Sequence, residues 1–246
     1  MIALGAAIAA GGGPVIPNYG TTNSCVLNNG AFCPGWFGQH WGPLFQPALV
    51  QHIELTAIAV SIGFVISLGL AVAAHRRRWL APPVTLVTSI LFTIPSLAEF
   101  VILVPITGIT WLSVEIPLVS YTLLVLFTNT LAGLSGVSAE VRDAASGLGL
   151  TSRQVLLRVE LPLALPTIVA GLRVATVTII SLAAIGAYIK PIGLGALIFN
   201  ALSSGVFNTQ LIGAGALAVI LAVVADLALV LAQRFLTPWA TARRPA

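Results

Sequence analysis

Apolar positions in this chain fall in long unbroken runs. They follow neither the alternation of a half-buried strand nor the one-sided stripe of a soluble helix. Crossing a bilayer takes about 20 consecutive apolar residues. Five runs reach that length, at about 53–74, 84–106, 115–134, 164–189 and 210–233. They predict an all-α integral membrane protein of about five spans. The third and fourth runs are separated by a polar stretch, DAASGLGLTSRQVLLRVELP (143–162), with two acids and two arginines. A charged helix-forming insert between greasy segments needs a surface to meet.

Composition agrees with the pattern. Of 246 residues, 58% are hydrophobic and 7% charged, against roughly 25% charged in soluble domains. A chain this apolar cannot cover its own surface with polar groups, so lipid is its solvent. The net charge of +4 does not point to nucleic acid, because the basic residues do not form a helix face interleaved with aromatics. They sit in connectors: Arg76, Arg77 and Arg78; Arg142, Arg153 and Arg158; Arg234, Arg243 and Arg244. Five crossings put all three clusters on one side, with only Lys190 in a connector opposite. By the positive-inside rule that side is cytoplasmic. The N-terminal segment then faces outside and the C-terminus faces the cytoplasm.

Residues 1–47 form the odd part. Met1 to Ala10 is apolar but too short to span, and reads as a truncated helix or a signal-like remnant. Residues 11–47 are rich in Gly, Pro and Asn and read as an exposed external loop. Cys25 and Cys33 lie in it and are the only cysteines. An oxidising compartment favours a disulfide between them; two free thiols is the alternative. A zinc site is disfavoured, since His40 is the nearest histidine and a structural site takes four ligands. Trp36, Phe37 and Trp41 read as anchors at the membrane interface.

The insert reads as two short helices and a turn. Glu140 and Asp143 favour a helix start, Gly147 and Gly149 a stop, and Thr151 with Gln154 a capping box. Leu156, Leu157 and Leu161 offer the second helix an apolar face. Pro162 and Pro166 are expected to break continuity and angle the insert against the fourth span. The spacing Asp143-Ala144-Ala145, three residues, Gly149, nine residues, Val159-x-Leu161-Pro162 resembles the EAA motif of ABC importer permeases. It departs by Asp for Glu and Val for Ile. "FTIPSLAEF" (92–100), "VELPLALPTIVAGLRVATV" (159–177) and "GAYIKPIGLGALIF" (186–199) are similar to the permeases of glycine betaine, carnitine and choline importers, over roughly residues 48–238.

The resemblance implies a type I ABC importer permease fold with a cytoplasmic coupling helix inside 138–162, a transmembrane domain over 48–238 and a short tail, 239–246. It implies that Asp143, Ala144, Ala145, Gly149, Leu161 and Pro162 couple the spans to a cytoplasmic ABC ATPase dimer. A second permease subunit, the same or homologous, and an external substrate-binding protein are the other implied partners, and the cargo is a quaternary ammonium osmolyte. Alternatives are a methionine-type amino-acid importer permease and a membrane scaffold that docks an ATPase without transporting. A secondary transporter is disfavoured, because five spans do not divide into inverted repeats.

No nucleotide-cradling Gly-Lys-Ser/Thr, His-Glu-x-x-His or Gly-x-Ser-x-Gly occurs. His40, His52 and His75 read as lying in or beside connectors. No residue is assigned as catalytic, cofactor-binding or metal-ligating, and ATP hydrolysis is expected in a separate subunit. Three ionisable residues stand inside spans, where charge is expensive. Glu99, one turn after Pro95, is a candidate for the pathway or a gate, against a structural role. Arg173 and Asp226 lie at similar depth on sequential antiparallel spans and are a candidate structural ion pair.

Overall fold

A computed structural model describes residues 24–241. Two short helices open it, α1 (Ser24–Leu27) and α2 (Pro34–His40). A π-helical turn, Trp41–Phe45, leads into α3 (Gln46–Arg76). A 3₁₀ turn, Arg78–Leu80, precedes α4 (Ala81–Thr93) and α5 (Ser96–Thr107). Then come α6 (Leu112–Ser135), α7 (Ala139–Gly147) and α8 (Ser152–Val155). A second π turn, Leu156–Glu160, joins α8 to α9 (Leu161–Gly186). The chain ends in α10 (Gly193–Ser203), α11 (Asn208–Leu236) and α12 (Pro238–Thr241). The Met1–Ala10 reading and the tail arginines Arg243 and Arg244 lie outside the described residues.

Among the described residues, four helices are long and apolar enough to cross a membrane, ending at Arg76, Ser135, Gly186 and Leu236. The pair α4–α5 makes a fifth crossing if counted together, but it is bent by 95°. One continuous span over 84–106 is therefore corrected to a broken one. The cause is local. Ile94 precedes a proline and is extended (φ −63, ψ 128), as steric conflict with the following ring requires. Pro95 supplies no N–H to continue the ladder.

The opposite correction applies to Pro162 and Pro166, where the helix runs on through both. The π turn Leu156–Glu160 ends just before Pro162. Its wider backbone relieves the clash between the proline ring and the carbonyl four residues back. Trp41–Phe45 stands in the same relation to Pro47. The helix α10 follows the Lys190-Pro191 turn; at 11 residues it is too short to span and its region had read as a plain connector.

The helices α3, α6 and α9 pack together as the centre, with α11 against α9, and with α4 and α5 against α6. Close approach of α3 to α6 depends on Gly63, where a Cβ would lie 1.7 Å from the Thr122 hydroxyl. The middle of the core is Leu55, Phe100, Leu118, Tyr121 and Ile179. The segment 24–45 is corrected from an exposed loop to a folded cap. Trp36 is buried against Phe45 and Phe207, its ring meeting Phe207 edge-on at 4.7 Å, so it anchors the cap to α10–α11 and not to lipid. Trp41 is exposed.

Candidate functional site

The polar insert folds as α7, a turn and α8. Ser138 is the extended residue before α7. The Glu140 carboxyl accepts from its own backbone N–H and from the Ser138 hydroxyl, which holds it below the ordinary carboxylate range. The helix ends in a Schellman turn: Leu150 N–H donates to Ala145 O at 3.3 Å and Gly149 N–H to Ser146 O at 2.9 Å. Gly149 occupies the left-handed position that turn requires, with φ +84. Thr151 then caps α8, its backbone N–H donating to Gln154 Oε1 at 2.8 Å.

The two faces of α7 differ. Ala145 is buried, and α7 packs on α8 and the 156–160 turn, whereas Val141, Ala144 and Leu148 are exposed, Leu148 to 82%. The spacing 141, 144, 148 puts these three on one stripe. An apolar stripe facing away from its own bundle, beside the exposed Asp143, is shaped for a partner. Leu148 was not singled out in the sequence; the signal was an apolar residue between two glycines in a polar turn. Leu157 is exposed too, so only Leu156 and Leu161 of the three leucines pack inward.

Behind α7 sits Glu160, 6% exposed. Its Oε1 lies 3.1 Å from His75 Nε2 and 3.8 Å from Arg142 Nη1. One carboxylate oxygen thus meets the end of α3, the middle of α7 and the start of α9. Sequence reasoning passed it over because it fills the variable position of the motif, between Val159 and Leu161. Asp143, Ala144, Ala145 and Gly149 lie on α7 and its turn, while Leu161 and Pro162 open α9, Leu161 packing against the cluster of Leu134, Leu156, Ala164 and Ile168.

Inside the spans, Glu99 lies in the first turn of α5, just past the break. Its Oε1 accepts from the Ser120 hydroxyl, and its Oε2 has no hydrogen-bond partner among the described residues. Tyr121 donates to the Ile94 carbonyl freed at the break and meets Phe92 at 5.6 Å. Glu115, unremarked in the sequence, is 5% exposed, and neither of its oxygens has a hydrogen-bond partner among the described residues. His52 is corrected from a connector position to the interior of α3, where it is fully buried. Its Nε2–H donates to Ile180 O at 2.9 Å and its Nδ1 accepts from Leu194 N–H at 3.3 Å, tying α3 to α9 and α10.

Arg173 and Asp226 meet across α9 and α11, with Nε to Oδ1 at 2.7 Å and Nη2 to Oδ2 at 2.9 Å. Cys25 and Cys33 are disulfide-bonded. The cap they close is held by Cys33 N–H to Thr209 Oγ1 at 3.0 Å and Asn29 Nδ2 to Val206 O at 2.9 Å. Among the described residues no group of three His, Cys, Asp or Glu is placed to hold a metal.

The comparisons with known proteins fit this layout. The profile of the family "binding-protein-dependent transport system inner membrane component" matches residues 63–241. The osmoprotectant import permease protein OsmW of Salmonella typhimurium is 38% identical over 194 residues, covering 76% of this chain and 89% of the relative. The choline transport system permease protein OpuBB of Bacillus subtilis is 34% identical, covering 76% of this chain and 86% of its own. A solved structure of the MetNI methionine ABC transporter, in an inward-facing conformation, superposes with a TM-score of 0.71 at 21% identity. That match covers 78% of this chain and 95% of that one, and gives the fold as that of a type I ABC importer permease. This chain belongs to the family of binding-protein-dependent transport system inner membrane components.

Proposed function

We propose that the chain is the permease subunit of an ATP-driven importer that carries a quaternary ammonium osmolyte into the cell. ATP is hydrolysed by a separate cytoplasmic ATPase dimer, and an external binding protein delivers the solute to a pathway made with a second permease subunit. The substrate reading is supported by relatives at 34% to 38% identity whose names carry osmoprotectant and choline transport. The methionine-type alternative has only a shared fold at 21% identity behind it. A scaffold without transport has no observation in its favour.

The observation that carries the mechanism is the exposed stripe Val141, Ala144 and Leu148 on a helix that the Gly149 turn closes and that lies within ion-pair distance of Glu160 through Arg142. The ATPase grips that stripe. When its subunits close, α7 is displaced as a rigid piece. Arg142 and Glu160 pass the displacement to His75 at the end of α3 and to the start of α9. These two helices belong to the central trio, so the pathway changes its access. The end of the bundle holding His75, Arg142 and Glu160 is cytoplasmic in this reading, and the disulfide-bonded cap is external. Glu99, at the helix break among Phe92, Ser120 and Tyr121, borders the pathway.

Uptake of radiolabelled choline and glycine betaine into cells lacking their own uptake systems tests the proposal. Uptake should require this chain, an ATPase and a binding protein together. Equal uptake with the ATPase deleted would remove the importer reading.

A further inference from the structure

We propose that a cleft at the α7 end of the bundle binds the phosphate of an anionic phospholipid headgroup. The cleft has a volume of about 480 Å³, within the range of about 300–1,000 Å³ usual for ligand sites. Its polar wall is His75, Arg78, Ser135 and Arg142, and its apolar wall includes Ala81 and Leu131. Glu160 holds His75 from behind and lies 3.8 Å from Arg142, beyond hydrogen-bond reach. Arg78 makes no ion pair among the described residues. Arg78, Arg142 and Ser135 thus line one cavity, and neither arginine has a hydrogen-bonded carboxylate among the described residues. Guanidinium forks suit phosphate oxygens.

The surroundings select a lipid over a soluble anion. Trp79, next to Arg78, is 68% exposed, and an exposed indole beside an apolar span marks headgroup depth. Above it α4 exposes Leu86, Val87 and Ile90. Leu86 stands eight residues beyond Arg78, or roughly 12 Å at 1.5 Å per residue. A phosphate in the cleft would send its acyl chains along that face. Basic pockets between helices at the cytoplasmic boundary are built for this purpose. Because Arg142 belongs to α7, occupancy would steady the element that meets the ATPase.

Trp79 is the reporter for the test. The full-length protein is reconstituted in vesicles with brominated phosphatidylglycerol or brominated phosphatidylcholine, and the fluorescence lost in Trp79→Phe is taken as its signal. Brominated phosphatidylglycerol should quench that signal at a mole fraction at least about fivefold lower than phosphatidylcholine, about fivefold being the effect of one arginine at a membrane surface. Arg78→Gln with Arg142→Gln should bring the two lipids together, while Arg78→Lys, which keeps the charge, should preserve most of the preference. Equal quenching by both lipids in the natural protein, or a preference unchanged in the double variant, would overturn the site. Relief of phosphatidylglycerol quenching by added inorganic phosphate would overturn the lipid and assign a soluble anion.

Discussion

Glu160 is where the contacts of three helices converge at the α7 end of the bundle, and its charge matters there more than its bulk. Glu160→Gln keeps the shape and one acceptor but weakens the attraction for Arg142 and His75. It should leave membrane abundance near normal and raise the ATP hydrolysed per solute carried several-fold, with Glu160→Asp restoring part of the coupling. An unchanged ratio in purified vesicles would reduce Glu160 to a packing residue. Arg173 and Asp226 call for a different readout. Either charge left alone in a span is costly, so Asp226→Asn and Arg173→Gln should each lower membrane abundance and thermal stability. The double neutral variant should recover part of both, and strictly additive losses would dissolve the pair as an energetic unit. In the cap, Cys25→Ser opens a loop closed across eight residues, a constraint of about 2–3 kcal/mol on the unfolded chain. Reductant should lower the melting transition of the natural protein and leave that of the variant unmoved. Depth counting from the sequence can pair an acid with a base on neighbouring spans. It cannot see Glu160, Glu115 or Leu148, because whether a side chain faces in or out depends on helix rotation.

At the scale of elements, α7 and its turn make the sharpest prediction. A Cβ at Gly149 would meet nothing within 4 Å among the described residues. The obstacle to substitution there is the positive φ, which Asn tolerates best among residues with a side chain. Gly149→Asn should therefore reach the membrane normally yet fail to co-purify with the ATPase. Leu148→Asp should do the same by putting charge in the apolar contact. Normal recovery of the ATPase with both variants would move the docking surface elsewhere. The motif's spacing made this element legible, since helix, glycine stop and capping box are all local chemistry. The α4–α5 break is half legible: Pro95 marks the place, but a proline alone does not say whether a helix bends slightly or turns by 95°. The continuity through Pro162 was not legible, because the sequence does not announce the π turn that absorbs the ring. Short α10 fell below any length rule for spans.

For the whole molecule, the runs of apolar residues and the parity of the basic connectors are enough to read a helical bundle with its charged connectors gathered at one end. His75, Arg142 and Glu160 meet there, and Gln233 of α11 donates to Pro166 O at 3.3 Å nearby. Which compartment that end faces follows from labelling. Ser146→Cys, in the exposed last turn of α7, should be shielded from an impermeant external thiol reagent in intact cells. Ser203→Cys, exposed at the end of α10, should react. The native cysteines are bonded to each other and stay silent, and the reverse pattern would invert the topology. The central claim, that this chain is the membrane path of an ATP-driven importer worked through α7, is tested most directly by solute accumulation in sealed vesicles. The vesicles hold the permease and its ATPase, with the binding protein outside and ATP inside. The account predicts that choline or glycine betaine is concentrated above its external level only with ATP and binding protein present, and not with Gly149→Asn. Accumulation that persists without ATP, or at the natural rate in Gly149→Asn, would contradict it.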